Sequence, residues 1–345
     1  MAAPFFFRYT GSAMRISFVE PHLELYGGIR RILEFSNRFV ERGETVTIYH
    51  PAGTACTWME CRAAVRPLRA LHDDAHDVLI FNNPPDYPHV RRARARAKVF
   101  YILELYDRDK LLRFDPKIFW PRKGRMLSLK RTLQMPFVMV ANASWIQEWL
   151  REHMRIESEL QLGGLNRELF HPVERARIQD GVFRVLCSGD RREHKGTASI
   201  IGAIERLPRG RPVELETYHG KGIPQSGMAA VYARADLFVD AQWHAGWNNP
   251  VIEAMACGTP VVCTDIGGVR DFAFHERTAL LVPPRDPGAL ASAIARMIDD
   301  AALRERLAAN ALAEVKRFDW DRAANEFLDK LYRYAGQARV TAHTS

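Results

Sequence analysis

At 345 residues with 47% hydrophobic content, the chain is long enough for two domains that each bury a core, which excludes a disordered or low-complexity protein. No apolar run approaches about 18 residues and the Phe5–Phe7 triplet is too short for a signal core, so no membrane-spanning or secretory segment is expected. The net charge of +8 is concentrated in residues 91–131, where fourteen Lys or Arg meet four acids (Glu104, Asp107, Asp109, Asp115), and no helix-turn-helix or zinc-finger pattern points that charge at nucleic acid.

The five cysteines (Cys56, Cys61, Cys187, Cys257, Cys263) are odd in number and lack metal-ligand spacing, so they read as reduced core residues of a cytosolic protein. Met14 stands at the head of the first strand and is a second candidate start. RISFVEP (15–21) predicts a buried strand, then the loop HLELYGG, a helix from Ile29 to Glu41 and the strand 45–51, a βαβ unit. Gly27 and Gly28 fall at the strand-to-helix turn, where main-chain amides can meet an anion or hydroxyl-rich ligand; a plain tight turn is the competing reading. Strands are expected at 64–68, 76–83 and 98–103, with a helix over 86–97 between the last two. Asn82, Asn83, Glu104, Tyr106 and Asp107 then lie just past strand ends, where open parallel sheets bind ligands.

The stretch 114–137 mixes Phe114, Phe119 and Trp120 with clustered cations. Rings at a headgroup boundary with Lys and Arg on lipid phosphate suit that pattern, and so does a loop tucked against the domain. PFVMVANAS (136–144) predicts a strand ending in a Ser cap, with WIQEWLREHM continuing as an amphipathic helix. A second α/β series opens with the strand VFRVLCSG (182–189) and a helix from Thr197 to Leu207. The loop between them, Asp190 to Gly196, sets Arg191, Arg192, His194 and Lys195 before a helix N-terminus, so cations and backbone dipole converge on one spot suited to a phosphate; an exposed loop is the alternative. Strands at 212–220 and LFVDAQW (237–243) follow, separated by the helix MAAVYARAD.

HAGWNNPVIEAMACGTPVVCTDIGG (244–268) restricts function most narrowly. Asn248 or Asn249 can cap a helix that Pro250 opens at its first position, and Gly258 suits the left-handed turn that closes it. Glu253 sits one turn in among small and apolar neighbours, so its carboxylate needs hydroxyl or cationic partners. A β-branched strand and the pair Gly267-Gly268 complete the unit. From spacing alone it could equally be a packed helix–strand pair. Helices are expected at 287–299, 302–318 and 321–334.

PVIEAMACGTPVVCTDIGGVRDF, continuing through LLVPPRDPGALASAIARMI, resembles the donor-site signature of family 4 of the retaining, nucleotide-sugar-dependent glycosyltransferases, and the likeness covers residues 14–335. It implies a GT-B architecture: two Rossmann-like α/β domains facing across a cleft, with the C-terminal helix crossing back to the first. The N-terminal acceptor-side domain is expected over 14–170, with 320–345 packing back on it, and the nucleotide-sugar domain over 171–319. LQLGGLNRELFHPV resembles the family's interdomain linker through Gly164, Phe170 and Pro172.

Carried over residue by residue, Glu253 would bind the ribose hydroxyls. Gly246, Trp247, Asn248 and Asn249, with Gly267 and Gly268, would hold the donor sugar and phosphate, and Gly189 and Asp190 would line the same site. Lys195-Gly196 matches the element whose Arg and Lys neutralise the leaving diphosphate; the Arg position is Asp190 here, so Arg191 or Arg192 would substitute. The loop at Gly27-Gly28 would approach the donor phosphates or the acceptor. Two further departures are Ala245, where the family has a second Glu, and ELYDRD, which lacks the family's essential His. Glu104 or Asp107 is then the candidate acceptor-binding group or base, unless it is a surface carboxylate paired with Arg108 or Lys110.

The expected function is metal-independent, retaining transfer of a sugar from a nucleotide-diphosphate sugar to a glycan or lipid-linked acceptor in cell-surface polysaccharide or glycoconjugate synthesis, with no cofactor beyond the co-substrate. The expected location is the cytoplasm, with an anionic membrane surface as a second partner through residues 91–131, at the inner face. Two alternatives stand beside it: a degenerate member that binds a nucleotide or glycan without transfer, and a glycogen-phosphorylase-like enzyme, for which no pyridoxal-binding lysine context is found.

Overall fold

The computed structural model describes residues 13–105, 127–174, 180–208, 210 and 212–336. The chain divides into two compact α/β units. The first runs to Asn142, continues over Ile146–Gly163 and takes in the chain from Trp320; the second comprises Gly164–Asp319 with Ala143–Trp145.

The first unit is built on a seven-stranded, all-parallel sheet in the order β3-β2-β1-β4-β5-β6-β7. Its strands are β1 (Arg15–Val19), β2 (Thr45–His50), β3 (Ala64–Pro67), β4 (His76–Phe81), β5 (Ala95–Ile102), β6 (Val138–Ala141) and β7 (Glu159–Leu160). β4 is buried at all six positions, the continuous apolar strand that a sheet covered on both faces requires. Helix α1 (Gly27–Glu41) follows β1, α2 (Tyr87–Arg92) links β4 to β5, and α3 (Ser144–Trp149) follows β6 and runs into a π-turn over 150–154. The helix expected over 86–97 is therefore shorter. Arg- and Ala-rich sequence favours a helix, but Ala95 and Ala97 pair with His76 and Val78 on β4, and the sheet wins.

The second unit has a five-stranded, all-parallel sheet in the order β12-β11-β10-β8-β9. These are β8 (Phe183–Cys187), β9 (Val213–Thr217), β10 (Leu237–Asp240), β11 (Val261–Thr264) and β12 (Leu280–Val282). Helices α4 (Thr197–Ile204), α5 (Met228–Arg234), α6 (Asn249–Ala256), α7 (Pro287–Asp299) and α8 (Ala301–Val315) belong to this unit. Pro250 occupies the second helical position of α6, not the first; that position also has no intrahelical acceptor for an N–H, so proline costs nothing there.

The last helix, α9 (Trp320–Tyr334), belongs to the first unit, the C-terminal return expected of this fold class. Its Ala324, Phe327, Leu328 and Leu331 are fully buried. The Phe327 ring lies 5.0 Å from Phe35 and 5.3 Å from Tyr101, and the Tyr332 hydroxyl donates to Glu44 at 2.9 Å.

Candidate functional site

In each sheet the strand order reverses once, and the crevice at the C-terminal strand ends beside such a reversal is where open α/β sheets bind ligands. The reversal lies between β1 and β4 in the first unit and between β8 and β10 in the second.

In the first unit, Gly27 and Gly28 form the opening turn of α1, which begins eight residues past the end of β1, and Glu104 stands just beyond β5, its Oε1 accepting from the Leu105 amide at 3.1 Å. The sequence reading missed the residue at the reversal itself. Glu20, directly after β1, is 1% exposed, and both its oxygens accept from Asn82 Nδ2 past the end of β4, at 2.6 and 2.7 Å. Burial pushes the Glu20 carboxyl up to about 8; the Asn82 hydrogen bonds offset this in part, and the nearby Asp86 charge adds to it. Tyr106, Asp107 and the aromatic–cationic stretch from Phe114 to Arg125 lie outside the described residues.

In the second unit, the loop after β8 and the loop after β10 are tied together. Lys195 ends a single 3₁₀ turn and Gly196 precedes α4. Gly196 has φ +69°, and a Cβ there would come within 1.9 Å of the Ala241 carbonyl oxygen, so only glycine lets the cationic loop approach the end of β10 this closely. The Trp243 amide donates to the His194 carbonyl at 2.9 Å, and the His194 and His244 rings stack 5.1 Å apart. Burial, followed by the charges of Lys195 and Arg192, lowers the His194 pKa and so favours the neutral ring.

The two candidate substitutes for the family's arginine differ. Arg192 doubles back on Asp190, with Nε 3.0 Å from Oδ2, and Asp190 also accepts from the Arg192 amide at 3.0 Å. Burial alone would raise the Asp190 carboxyl; the Arg192 hydrogen bonds and charge outweigh it and hold it at about 2. Asp190 is thus the anchor of Arg192, whose charge is partly spent. Arg191 next to it is exposed.

Lys195 Nζ donates to Gln242 Oε1 at 2.8 Å. Gln242 Nε2 donates to Asp240 Oδ2 at 3.0 Å and to Asn248 Oδ1 at 3.3 Å, while Asn248 Nδ2 donates to Asp240 Oδ1 at 2.9 Å. Asn248 immediately precedes α6, which carries Glu253; its side chain is engaged with Asp240 instead of capping the helix. Glu253 is 6% exposed and accepts from the Tyr232 hydroxyl of α5 at 3.2 Å.

The glycine turn 267–269 closes onto the same loop. The Asn248 amide donates to the Gly268 carbonyl at 2.9 Å, and a Cβ at Gly268 would meet the Ala245 carbonyl oxygen at 2.6 Å. Trp145, grouped with this unit, donates from its indole nitrogen to the Gly246 carbonyl at 3.0 Å, and its ring lies against Gly267. The Trp247 ring packs 5.0 Å from Phe272 and 5.4 Å from Phe318. Gly189, Asp190, Lys195, Gly246, Asn248, Asn249, Gly267 and Gly268 therefore gather at the C-terminal edge of the second sheet, with Glu253 on the adjoining helix; Gly27, Gly28 and Glu104 belong to the first unit. Asp240, Gln242 and Tyr232 went unread in the sequence. The available signal was a pair of polar residues at the exit of the apolar strand LFV.

Residues 170–300 match the family model for glycosyl transferases group 1. A D-inositol 3-phosphate glycosyltransferase of Xylanimonas cellulosilytica is 32% identical over 180 residues, 45% of this chain and 43% of that protein. The chain spans about half or less of the length of the curated relatives it matches. Among solved structures, sucrose-phosphate synthase from Thermosynechococcus elongatus superposes with a TM-score of 0.76 at 20% identity, over 93% of this chain and 98% of the other. Anabaena HepE in complex with UDP-glucose gives 0.72 at 18% identity, over 93% and 100%. The fold is thus the GT-B architecture, and family 4 of the glycosyltransferases, which the signature resembles, fits these findings.

Proposed function

We propose that this chain, which has a GT-B fold and matches the glycosyl transferases group 1 model over residues 170–300, transfers a sugar from a nucleoside diphosphate sugar to a glycan or lipid-linked acceptor, with retention at the anomeric carbon and without a metal ion. One observation carries the proposal. Lys195 and the start of the Glu253 helix share one hydrogen-bonded network through Gln242 and Asn248, which supports reading Lys195 as the cation for a diphosphate and Glu253 as the carboxylate for ribose hydroxyls. HepE, of the same fold, is recorded with UDP-glucose, which supports a donor of that class.

In this reading the bond between the anomeric carbon and the β-phosphate oxygen breaks, and its electron pair leaves with the diphosphate. Lys195, aided by Arg191 and by what remains of the Arg192 charge, stabilises the developing negative charge, and the α4 dipole adds to it. The acceptor hydroxyl forms the new bond and its proton passes to a departing phosphate oxygen. Glu253 orients the ribose. Gly246 to Asn249 and the 267–268 turn meet sugar and phosphate through backbone, with Ala245 leaving the sugar pocket without a second carboxylate. The basic stretch 91–131 supplies the affinity for an anionic membrane face on the cytoplasmic side; no helix among the described residues is long and apolar enough to cross a membrane.

Screening UDP-, GDP- and dTDP-sugars by thermal stabilisation identifies the donor, because a ligand bound only to the folded state raises the melting midpoint. With that donor, Lys195→Ala is expected to lower turnover by about a hundredfold or more. Near-normal transfer by this variant refutes the assignment. The Asp190–Arg192 pair, which spends one cation, favours a second reading as a nucleotide-binding protein without transferase activity. Calorimetric binding of a nucleoside diphosphate with no hydrolysis or transfer across the panel would select it.

A further inference from the structure

We propose that Asp240 and Gln242 are positioning residues that aim the Lys195 ammonium at a bound diphosphate. This rests on the reading of Lys195 as the diphosphate-binding cation. The primary amide of glutamine has an accepting end and a donating end, and rotation by half a turn exchanges them. Three N–H groups converge on the buried Asp240 carboxylate: the Gln242 amide at 3.2 Å, Gln242 Nε2 and Asn248 Nδ2. Because Asn248 gives its amino group to Asp240, its Oδ1 is turned toward Gln242 Nε2. Both neighbours of Nε2 are therefore acceptors, which leaves Oε1 facing Lys195. The reversed rotamer would set an amide oxygen against a carboxylate and an amino group against an ammonium, unfavourable at both ends and most costly beside the buried Asp240.

The main chain at this point is pinned as well, since Thr264 Oγ1 of β11 donates to the Gln242 carbonyl at 2.5 Å. A lysine side chain is long and flexible, and holding it in one direction before the ligand arrives removes part of the ordering cost of binding. The choice of an amide as intermediary has its own effect. Arg192 touches Asp190 directly, whereas the Lys195 ammonium donates to a neutral amide that Asp240 in turn holds, and the Asp240 charge acts on it as well. The carboxylate orients the glutamine, and the glutamine orients the lysine.

The test compares nucleoside diphosphate with monophosphate by calorimetry, using the uridine or guanosine pair that the wild-type protein binds. Asp240→Asn keeps the shape but lets the Gln242 amide turn over; Gln242→Met removes the amide at nearly constant volume and serves if the first variant fails to fold. Each is expected to weaken diphosphate binding by about tenfold while the monophosphate constant is unchanged, as for loss of one hydrogen bond to a charged group. Equal weakening of both nucleotides, or no weakening of either, overturns the proposal. Lys195→Ala is the control. If it does not weaken diphosphate relative to monophosphate, or if the wild type binds neither nucleotide, the reading of the site as a diphosphate clamp fails; if it does and both positioning variants do not, only this inference fails.

Discussion

A buried carboxylic acid at the reversal point of the first sheet gives the protein a pH-dependent stability term that can be isolated by mutation. Glu20 titrates at about 8 in the folded protein, above the ordinary glutamate range, so between roughly pH 4.5 and pH 8 the folded state holds a proton that the unfolded chain has released. Stability from this group is therefore lost as pH rises through that window and levels off above it. Glu20→Gln, which keeps one of the two acceptors for Asn82, is expected to remove this slope, gaining a few kcal/mol relative to wild type between pH 5 and pH 9. Urea midpoints for the two proteins at pH 5, 7 and 9 check it; a difference that does not change with pH contradicts the raised titration. Asp190 behaves in the opposite sense. Held at about 2 by Arg192, it contributes stability that is present above the ordinary aspartate range and is lost as pH falls toward 2. Neither behaviour was legible in the sequence, because a polar residue after an apolar strand carries no periodicity; the surroundings of Glu20 exist only once β4 is laid beside β1, and those of Asp190 only once the loop after β8 turns Arg192 back on it.

At the scale of elements, most of the fold was legible because each central strand is a continuous apolar run and each long helix an amphipathic one. The expected helix 287–299 coincides with α7, whose Asp286 caps it by accepting from the Ala289 amide at 2.9 Å. What went unread was short or competed for. β7 has two residues, too few for any pattern, and the Ala- and Arg-rich run before Lys98 has a helical composition that its pairing with β4 overrides. In the second unit the Lys195-Gly196 element and the α6 signature could be read locally, whereas the link between them runs through Gln242, which becomes visible only when β8 and β10 are adjacent. Helix α9 allows a direct energetic test. Phe327 is fully buried against Phe35, Phe39 and Tyr101, so Phe327→Ala should cost about 3–5 kcal/mol of first-unit stability, read from denaturant midpoints; a loss under 1 kcal/mol would mean that the helix is not part of that core.

For the whole molecule, the assignment of α9 matters more than its length. The first unit is assembled from both ends of the described chain, and the second is an almost continuous segment between them. A chain stopped after Asp319 should therefore lose the first unit's cooperative unfolding while retaining protected amides in β8, β10 and β11, which hydrogen exchange can resolve. Loss of protection in those three strands as well would show that the second unit depends on the missing helix.

The same threading fixes an order of events during synthesis. Emerging from the ribosome, the stretch 164–319 has nearly all of its partners before α9 exists, whereas the sheet of the first unit must wait for Phe327 and Leu331 of α9 before its core is covered. The unit whose sheet is made earlier is thus the one whose core closes later, and in the interval its apolar strands stand open to association with other chains.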